Sequence, residues 1–184
     1  MIVRADGWLG GVCRVESPNF DARPAGTAIA LIVIHNISLP PGCYGGGHVA
    51  QLFTNTLDIA VDPSFEKIAG ARVSAHVLIE RNGAPTQFVS FAERAWHAGV
   101  SEFDRRAACN DFSIGIELEG TDFEAFTDAQ YQSLNVVLAA LLGAYPIEAV
   151  RGHSDIAPDR KTDPGPFFNW HRVALPSSVS IPSV

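Results

Sequence analysis

The fold is decided by the stretch FSIGIEL, residues 112–118, in which large apolar side chains alternate with small or polar ones. Because successive side chains of a strand point to opposite faces, this period of two predicts a strand with one apolar face. Glu117 then lies on the non-core face, and the missing side chain of Gly115 leaves space beside it. The apolar face comprises Phe112, Ile114, Ile116 and Leu118.

The segments on either side predict an α/β chain built on one mixed sheet. The continuous β-branched run at residues 28–34 is typical of a strand buried on both faces. Residues 73–89 predict a hairpin, and residues 148–152 a short strand. Thr127 opens a capping box and a helix that reaches about Tyr145. This order favours a central mixed β-sheet flanked by helices.

Length and composition favour one domain. With 184 residues, of which 47% are hydrophobic, the chain can bury a single sizeable core. We expect one domain over residues 1–184, with a core at about 7–175 and a frayed Ser/Pro-rich tail at 176–184.

Charge and cysteine usage limit the partners and the compartment. The net charge of -7 argues against nucleic acid and against an anionic membrane surface. The apolar run at residues 28–34 is far shorter than the roughly 20 residues that span a bilayer. The first fifteen residues lack the continuous apolar core of a secretion signal. Three widely spaced cysteines favour a reducing compartment, and we expect a cytoplasmic protein.

A long segment separates the first predicted strand from the hairpin. Residues 39–70 are rich in Pro and Gly at their start and contain a short amphipathic stretch at His48–Phe53. Because long loops inside compact domains are usually functional, we interpret this segment as a wall or lid over a site.

Candidate metal ligands lie at the ends of two predicted strands. His35 follows the first strand, and His153 follows the short strand at residues 148–152. His153 belongs to a loop at residues 151–165 that prolines and glycines should keep out of helices and central strands. Two imidazoles and one carboxylate with an open position form the ligand set of catalytic zinc. Asp163, whose backbone Pro164 fixes, is our third ligand.

Alternatives to this site remain open at the sequence level. A histidine at a strand end can equally be a hydrogen-bonded core residue. Asp155 and Asp159 are competing carboxylates, more typical of a helix cap or a turn. Spacing alone does not choose among the three aspartates.

Two further residues suggest catalysis. Glu117 can serve as a general base, or it can be a surface strand residue, an interpretation that suits Glu119 better. Lys161 can stabilise the negative charge that develops on an attacked carbonyl oxygen. Its alternative is a solvated lysine that balances the three aspartates of its loop.

Several segments also carry a family resemblance, namely residues 33–42, 73–76, 95–101, 110–122 and 152–165. Together they resemble the AmpD family, the cytoplasmic 1,6-anhydro-N-acetylmuramyl-L-alanine amidases of bacterial cell-wall recycling. The resemblance runs from about Gly7 to Trp170. It implies a fold shared with peptidoglycan-recognition proteins and phage amidases. It also implies hydrolysis of the amide between the lactyl group of 1,6-anhydro-N-acetylmuramic acid and L-alanine. Separately, we expect the protein to be a monomer.

The resemblance further implies residue roles. One zinc ion would be held by His35, His153 and Asp163. Glu117 would be the catalytic acid/base and Lys161 the transition-state cation. The groove for the sugar and peptide of this small-molecule substrate would be lined by Asn36, Arg72, Trp96 and His97.

Two matched positions call for comment. For His76, a core strand histidine is the preferred interpretation. Ser154 stands where close relatives are expected to have Cys. Because that Cys is not a ligand in the family, the metal assignment is unaffected.

Two rival functions compete with this interpretation. The same fold serves in modules that bind peptidoglycan fragments without cutting them, but those lack the complete ligand set. A thiol hydrolase using Cys109 with His97 is the second rival, although nothing in the sequence supplies a third, orienting group.

Overall fold

The computed structural model describes residues 1–182 of the chain. The helices in this part are α1 (His48–Phe53), α2 (Asp128–Leu142) and α3 (His153–Ile156), with 3-10 turns at Pro63–Ile68, Cys109–Asp111 and Trp170–Arg172. The strands are β1 (Cys13–Arg14), β2 (Phe20–Ala22), β3 (Leu31–Ile37), β4 (Val77–Ile79), β5 (Pro85–Gln87), β6 (Glu93–Ala95), β7 (Glu102–Phe103), β8 (Arg106–Ala107), β9 (Ser113–Glu119) and β10 (Ala149–Gly152). None of the helices between residues 1 and 182 is long and apolar enough to cross a bilayer.

Six strands form the main sheet, in the order β1-β5-β4-β9-β3-β10. The pairs β4–β9, β9–β3 and β3–β10 are parallel, whereas the β4–β5 hairpin is antiparallel. The sheet is therefore mixed, as the sequence predicted. Two small antiparallel pairs, β2–β6 and β7–β8, lie outside it.

The predicted alternation along β9 is confirmed, and it divides the sheet into two faces. Ile114, Ile116 and Leu118 pack with Ile32 and Ile34 of β3 against α2. Phe112 is the exception, because it precedes the strand and packs with Leu31 and Val33 on the opposite face. The α2 side of this core is formed by Tyr131, Leu134, Val137, Leu138 and Leu141.

Two boundaries near the candidate site differ from the prediction. β3 begins at Leu31 and continues to Ile37, so His35 lies within the strand and not beyond its end. The β-branched run contains no local stop signal before Asn36. The loop at residues 151–165 was expected to be free of helix, but His153–Ile156 forms the single turn α3. Its prolines lie outside that turn, so they do not prevent it.

The C-terminal tail is docked and not frayed up to Ser180. Val179 is buried, and Ser180 forms a parallel bridge with Ala149 of β10. The amide of Val150 donates to the Ser180 carbonyl at 2.9 Å. Ser183 and Val184, the last part of the predicted tail, lie outside the described residues.

Glu119 is buried, which contradicts the predicted surface position. Its carboxylate accepts hydrogen bonds from the backbone amides of Gly45 at 2.9 Å and Arg81 at 3.1 Å. Tyr44 donates to Glu124 on the loop after β9. The start of the 39–70 segment is thereby attached to the end of β9, as expected of a wall.

Helix α2 starts with the predicted capping box. The Thr127 hydroxyl accepts from the Gln130 amide at 3.1 Å, and the Gln130 side chain accepts from the Thr127 amide at 3.0 Å. The helix ends at Leu142, three residues before the predicted Tyr145. The cap also anchors α2 to the hairpin, because the Thr127 hydroxyl donates to the Arg81 carbonyl at 2.8 Å.

We expect Thr127→Ala to lower the free energy of unfolding by about 1–2 kcal/mol, since it removes the cap and the bond to Arg81. Urea unfolding followed by circular dichroism measures the change. Thr56→Ala, at an exposed position outside the helices, is the matched control. An unchanged unfolding midpoint for Thr127→Ala would contradict the importance of this cap.

Candidate metal centre and groove

Strand register brings the candidate residues to one place. In the parallel pairing of β3 with β9, His35 lies directly beside Glu117. Gly152 of β10 pairs with Ile34, so His153 follows at the level of His35. Residues paired in this way share a face of the sheet. Three side chains from three distant segments therefore meet on the face opposite α2.

Three ligand atoms converge at the centre of this site. His35 Nδ1 lies 2.9 Å from Asp163 Oδ2 and 3.0 Å from His153 Nδ1, and the third edge, His153 Nδ1 to Asp163 Oδ2, is 3.1 Å. The other ring nitrogen of His153 lies 3.0 Å from the Ala98 carbonyl, to which it must donate. In the tautomer with its proton on Nε2, the Nδ1 atom of His153 can offer its lone pair to a cation placed between it and the Asp163 carboxylate.

The electrostatics favour the protonation states that bind metal. Burial lowers the pKa of His35 to about 4, despite the opposing contact with Asp163. Burial acts to raise the pKa of Asp163, but the neighbouring imidazoles of His153 and His35 outweigh it, and the pKa falls below its usual value. At neutral pH the centre thus holds a neutral His35 and an ionised carboxylate. Together, His35, His153 and Asp163 form a group that can hold a metal ion.

The structure separates the three competing aspartates. Asp155 accepts from the Gly152 amide at 2.7 Å in the first turn of α3, as expected of a helix cap. Asp159 is exposed and has a left-handed backbone with φ of 64°, as expected of a turn. Only Asp163 of the three directs an oxygen at both histidines.

Glu117 lines the same cavity as the three ligands and is buried. Its Oε2 atom has no hydrogen-bond partner among residues 1–182. Burial raises the pKa of Glu117 well above its usual value, the charge of Asp163 adds to this, and Lys161 opposes it. A buried carboxyl beside a metal centre with a perturbed pKa is typical of an acid/base group. The space at Gly115, predicted to lie open beside it, is instead filled by the ring of His97.

Lys161 is exposed at the edge of this cavity. Within residues 1–182, no carboxylate lies within 4.0 Å of its ammonium group. Lys161 therefore forms no ion pair with the aspartates of its own loop, and the alternative of a solvated lysine that balances their charge stays open. The charge remains available to a ligand in the groove.

The groove comprises two cavities that share Val73, His97, His153 and Lys161. Arg72 and Trp96 line one of them, and Asn36 lines the other, where its side chain donates to Asp122 at 2.7 Å. The 39–70 segment contributes an apolar wall to the second cavity. Further lining residues, which the sequence did not single out for the groove, are Ile37, Leu52, Phe53, Ile68, Ala71, Val73, Ala98, Gly99, Asn110 and Arg160.

Leu52 and Phe53 belong to the amphipathic stretch that was interpreted as a wall, and Arg160 precedes Lys161 in the Pro/Gly-rich loop, so these three had a local signal. The Arg160 guanidinium donates to the carbonyls of Ala98 at 2.8 Å and Val100 at 2.6 Å. Arg160 thus ties the loop of the third ligand to the segment that holds His153.

Two other sequence-based interpretations can now be judged. His76 is the predicted core histidine: it is fully buried and accepts from the Gly115 amide at 3.0 Å. Cys109 is buried in an apolar cluster, and burial raises the pKa of its thiol. A buried thiol with a raised pKa is a poor nucleophile, so the thiol-hydrolase rival is not supported.

The family is decided by comparison with known proteins. A family model described as N-acetylmuramoyl-L-alanine amidase matches residues 25–166. The chain belongs to this amidase family. It is 58% identical to the 1,6-anhydro-N-acetylmuramyl-L-alanine amidase AmpD of Escherichia coli K12, over 90% of this chain and 92% of that protein.

Solved structures of the amidase family agree with this assignment. A crystal structure of a selenomethionine AmpD derivative has a TM-score of 0.91 at 55% identity, covering 94% of this chain and 97% of the other. The E. coli amidase AmiD, in complex with its substrate anhydro-N-acetylmuramic acid-L-Ala-D-γ-Glu-L-Lys, has a TM-score of 0.58 at 32% identity. That match covers 82% of this chain and 59% of AmiD. The fold and the family inferred from the resemblance are confirmed.

We expect Asp163→Asn to lose most of its affinity for divalent metal ions, because the amide replaces the only carboxylate within residues 1–182 that contacts both histidines. Elemental analysis after dialysis against Zn²⁺ gives the metal content. Asp159→Asn is the matched control, since Asn tolerates its left-handed backbone and the site lies elsewhere. Stoichiometric metal in Asp163→Asn would contradict the ligand assignment.

Proposed function

We propose that this chain is a zinc-dependent amidase that cleaves the bond between the lactyl group of 1,6-anhydro-N-acetylmuramic acid and L-alanine in cell-wall recycling. The observation that carries the proposal is the convergence of His35, His153 and Asp163 beside Glu117. The 58% identity to an amidase named for this substrate supports the choice of bond.

The donor set fits one zinc ion. Two imidazole nitrogens and one carboxylate oxygen leave a fourth position open, as catalytic rather than structural sites do. Zinc held by His35, His153 and Asp163 would supply Lewis acidity toward the amide carbonyl and lower the pKa of water in the site.

Glu117 handles the proton. Burial and the charge of Asp163 favour its protonated form, whereas Lys161 favours the charged form. Its unpartnered Oε2 atom leaves one oxygen available to the reactants. We assign Glu117, in the charged form that the ammonium of Lys161 favours, to take a proton from the attacking water and then to return one to the departing amine of L-alanine.

Lys161 steadies the developing negative charge. Its ammonium lies at the edge of the cavity that contains Glu117 and forms no ion pair within residues 1–182. A donor that is not engaged in the ground state can respond fully to an oxyanion formed by attack on the carbonyl.

The groove suits an anionic muropeptide. Although the whole chain carries a net charge of -7, one cavity beside the centre is lined by Arg72, Arg160 and Lys161. The D-γ-Glu of the AmiD substrate carries a free carboxylate, and cations attract such groups. Following the family resemblance, Asn36, Arg72 and Trp96, which line the two cavities, are proposed to contact the sugar and the peptide.

Three broader expectations accompany the proposal. The cytoplasm is the proposed compartment, because three widely spaced cysteines are typical of proteins in a reducing environment. A single domain over residues 1–184 and a monomeric state remain predictions. A non-catalytic peptidoglycan-binding module is the alternative, but such a module does not need the unpartnered Glu117.

Mass spectrometry of the products tests the activity directly. Anhydromuropeptide incubated with the zinc-loaded protein should yield 1,6-anhydro-N-acetylmuramic acid and free stem peptide, and a chelator should abolish this release. Ordinary muropeptides assayed in parallel report how far the anhydro ring is required. Binding of the substrate without cleavage would favour the binding module.

For Glu117→Gln we expect kcat/KM to fall by ~10²–10⁴ while one zinc per chain is retained, because the amide keeps the shape but cannot accept the proton. Product release is followed by mass spectrometry and zinc by elemental analysis. Cleavage at the wild-type rate would refute the acid/base role.

For Lys161→Ala we expect kcat to fall by ~10²–10³, since the cation acts on charge that appears only in the transition state. The sequence contains one other lysine, the exposed Lys67, and Lys67→Ala serves as the matched control. A rise in KM with kcat unchanged would instead assign Lys161 to ground-state substrate binding.

A further inference from the structure

His97 lies between a candidate metal ligand and strand β9. Its Nδ1 atom is 3.0 Å from His35 Nε2, and its Nε2 atom is 3.1 Å from the hydroxyl of Ser113. The rings of His35 and His97 meet edge to face, with centroids 5.1 Å apart. Both nitrogens of His97 are therefore occupied by groups of the protein, although the ring also lines the groove.

The position of His97 depends on a gap in the sheet. A Cβ atom built on Gly115 would lie 2.4 Å from Cγ of the His97 ring, a distance that no side chain can adopt. The backbone amides of His97 and Ala98 also donate to the Asn110 side chain, at 3.2 Å and 2.8 Å. Hydrogen bonds to Asn110 thus fix the backbone at His97, and the His97 ring packs against β9 at Gly115.

The positions of the ring protons decide which nitrogen donates in the contact between His35 Nε2 and His97 Nδ1. To offer the Nδ1 lone pair to a metal ion, neutral His35 must carry its proton on Nε2. The nearest partner for that proton is His97 Nδ1, which must then accept. His97 in turn carries its own proton on Nε2 and donates it to Ser113. The second ligand, His153, has a simpler partner, the carbonyl of Ala98.

We propose that His97 is a positioning residue for the metal ligand His35, and that Gly115 and Ser113 hold it in that role. It fixes the tautomer and the orientation of the His35 ring. This replaces the role in substrate binding that the family resemblance implies. The inference rests on the proposed metal site, because it concerns how one ligand of that site is prepared.

Zinc affinity separates a positioning role from a substrate contact. Loss of a hydrogen-bond partner to a metal-binding histidine typically costs ~10–100-fold in metal affinity. We expect this loss for His97→Phe, which keeps a ring but cannot accept, and a smaller loss for His97→Gln, whose amide oxygen can accept. Competition with a chromophoric chelator measures the affinity for Zn²⁺ in the full chain. His171→Phe, at an exposed position, is the matched control.

Gly115→Ala tests the same role without changing any histidine. Its new methyl group would displace the His97 ring, so we expect ~10–100-fold weaker zinc binding here as well. Far-ultraviolet circular dichroism identifies variants that fail to fold. If the variants fail to fold, the role of His97 is tested in the wild-type protein, by the ¹⁵N chemical shifts of its histidine rings with zinc bound. The proposal requires both His35 and His97 to be protonated on Nε2.

The outcomes distinguish the two proposals. Wild-type zinc affinity in His97→Phe together with a raised KM would overturn the positioning role and restore a substrate contact. A proton on Nδ1 of His97 in the zinc-loaded protein would also overturn it. Wild-type protein that binds no zinc would refute the proposed function, and the positioning role with it. Weaker zinc binding in both His97→Phe and Gly115→Ala, with His171→Phe unchanged, supports the inference.

Discussion

The parallel register of three strands is the constraint on which the rest of the site depends. Pairing of His35 with Glu117, and of Ile34 with Gly152, sets the candidate metal ligands and Glu117 at one level of the sheet. Because strand side chains alternate, a shift of one residue between β3 and β9 would turn Glu117 away from His35. The packing of Ile114, Ile116 and Leu118 against α2 resists such a shift, so the hydrophobic core also fixes the geometry of the polar site.

Much of this arrangement could be predicted from local sequence patterns. Alternation in residues 112–118 identified the face of Glu117, and the capping box located the start of α2. The position of His35 within β3 was missed, because residues 28–37 contain no Gly or Pro to mark an end. Asp163 was chosen from the sequence as the third ligand, but local spacing did not exclude Asp155 and Asp159; of the three, only Asp163 directs an oxygen at both histidines.

Contacts between distant segments account for the errors that remained. Glu119 was predicted to be a surface residue because its burial depends on distant partners. The backbone amides that donate to its carboxylate come from the loop at Gly45 and the turn at Arg81. The space at Gly115 looked empty because the ring that fills it belongs to residue 97. Neither partner follows from periodicity, which reports only on the element in which it occurs. Functional groups held by such contacts are where local reasoning fails first.

The docked tail has a consequence for the behaviour of the folded chain in concentrated solution. β10 is the last strand of the sheet, and its outer side would otherwise expose unpaired amides and carbonyls to strands of other molecules. Ser180 pairs with this side, and Arg151 donates to the Ser180 carbonyl at 2.8 Å. At the opposite edge, β1 is only two residues long and includes Arg14. The protein therefore protects both borders of its sheet against edge-to-edge aggregation, and it does so at β10 with its own C-terminal segment.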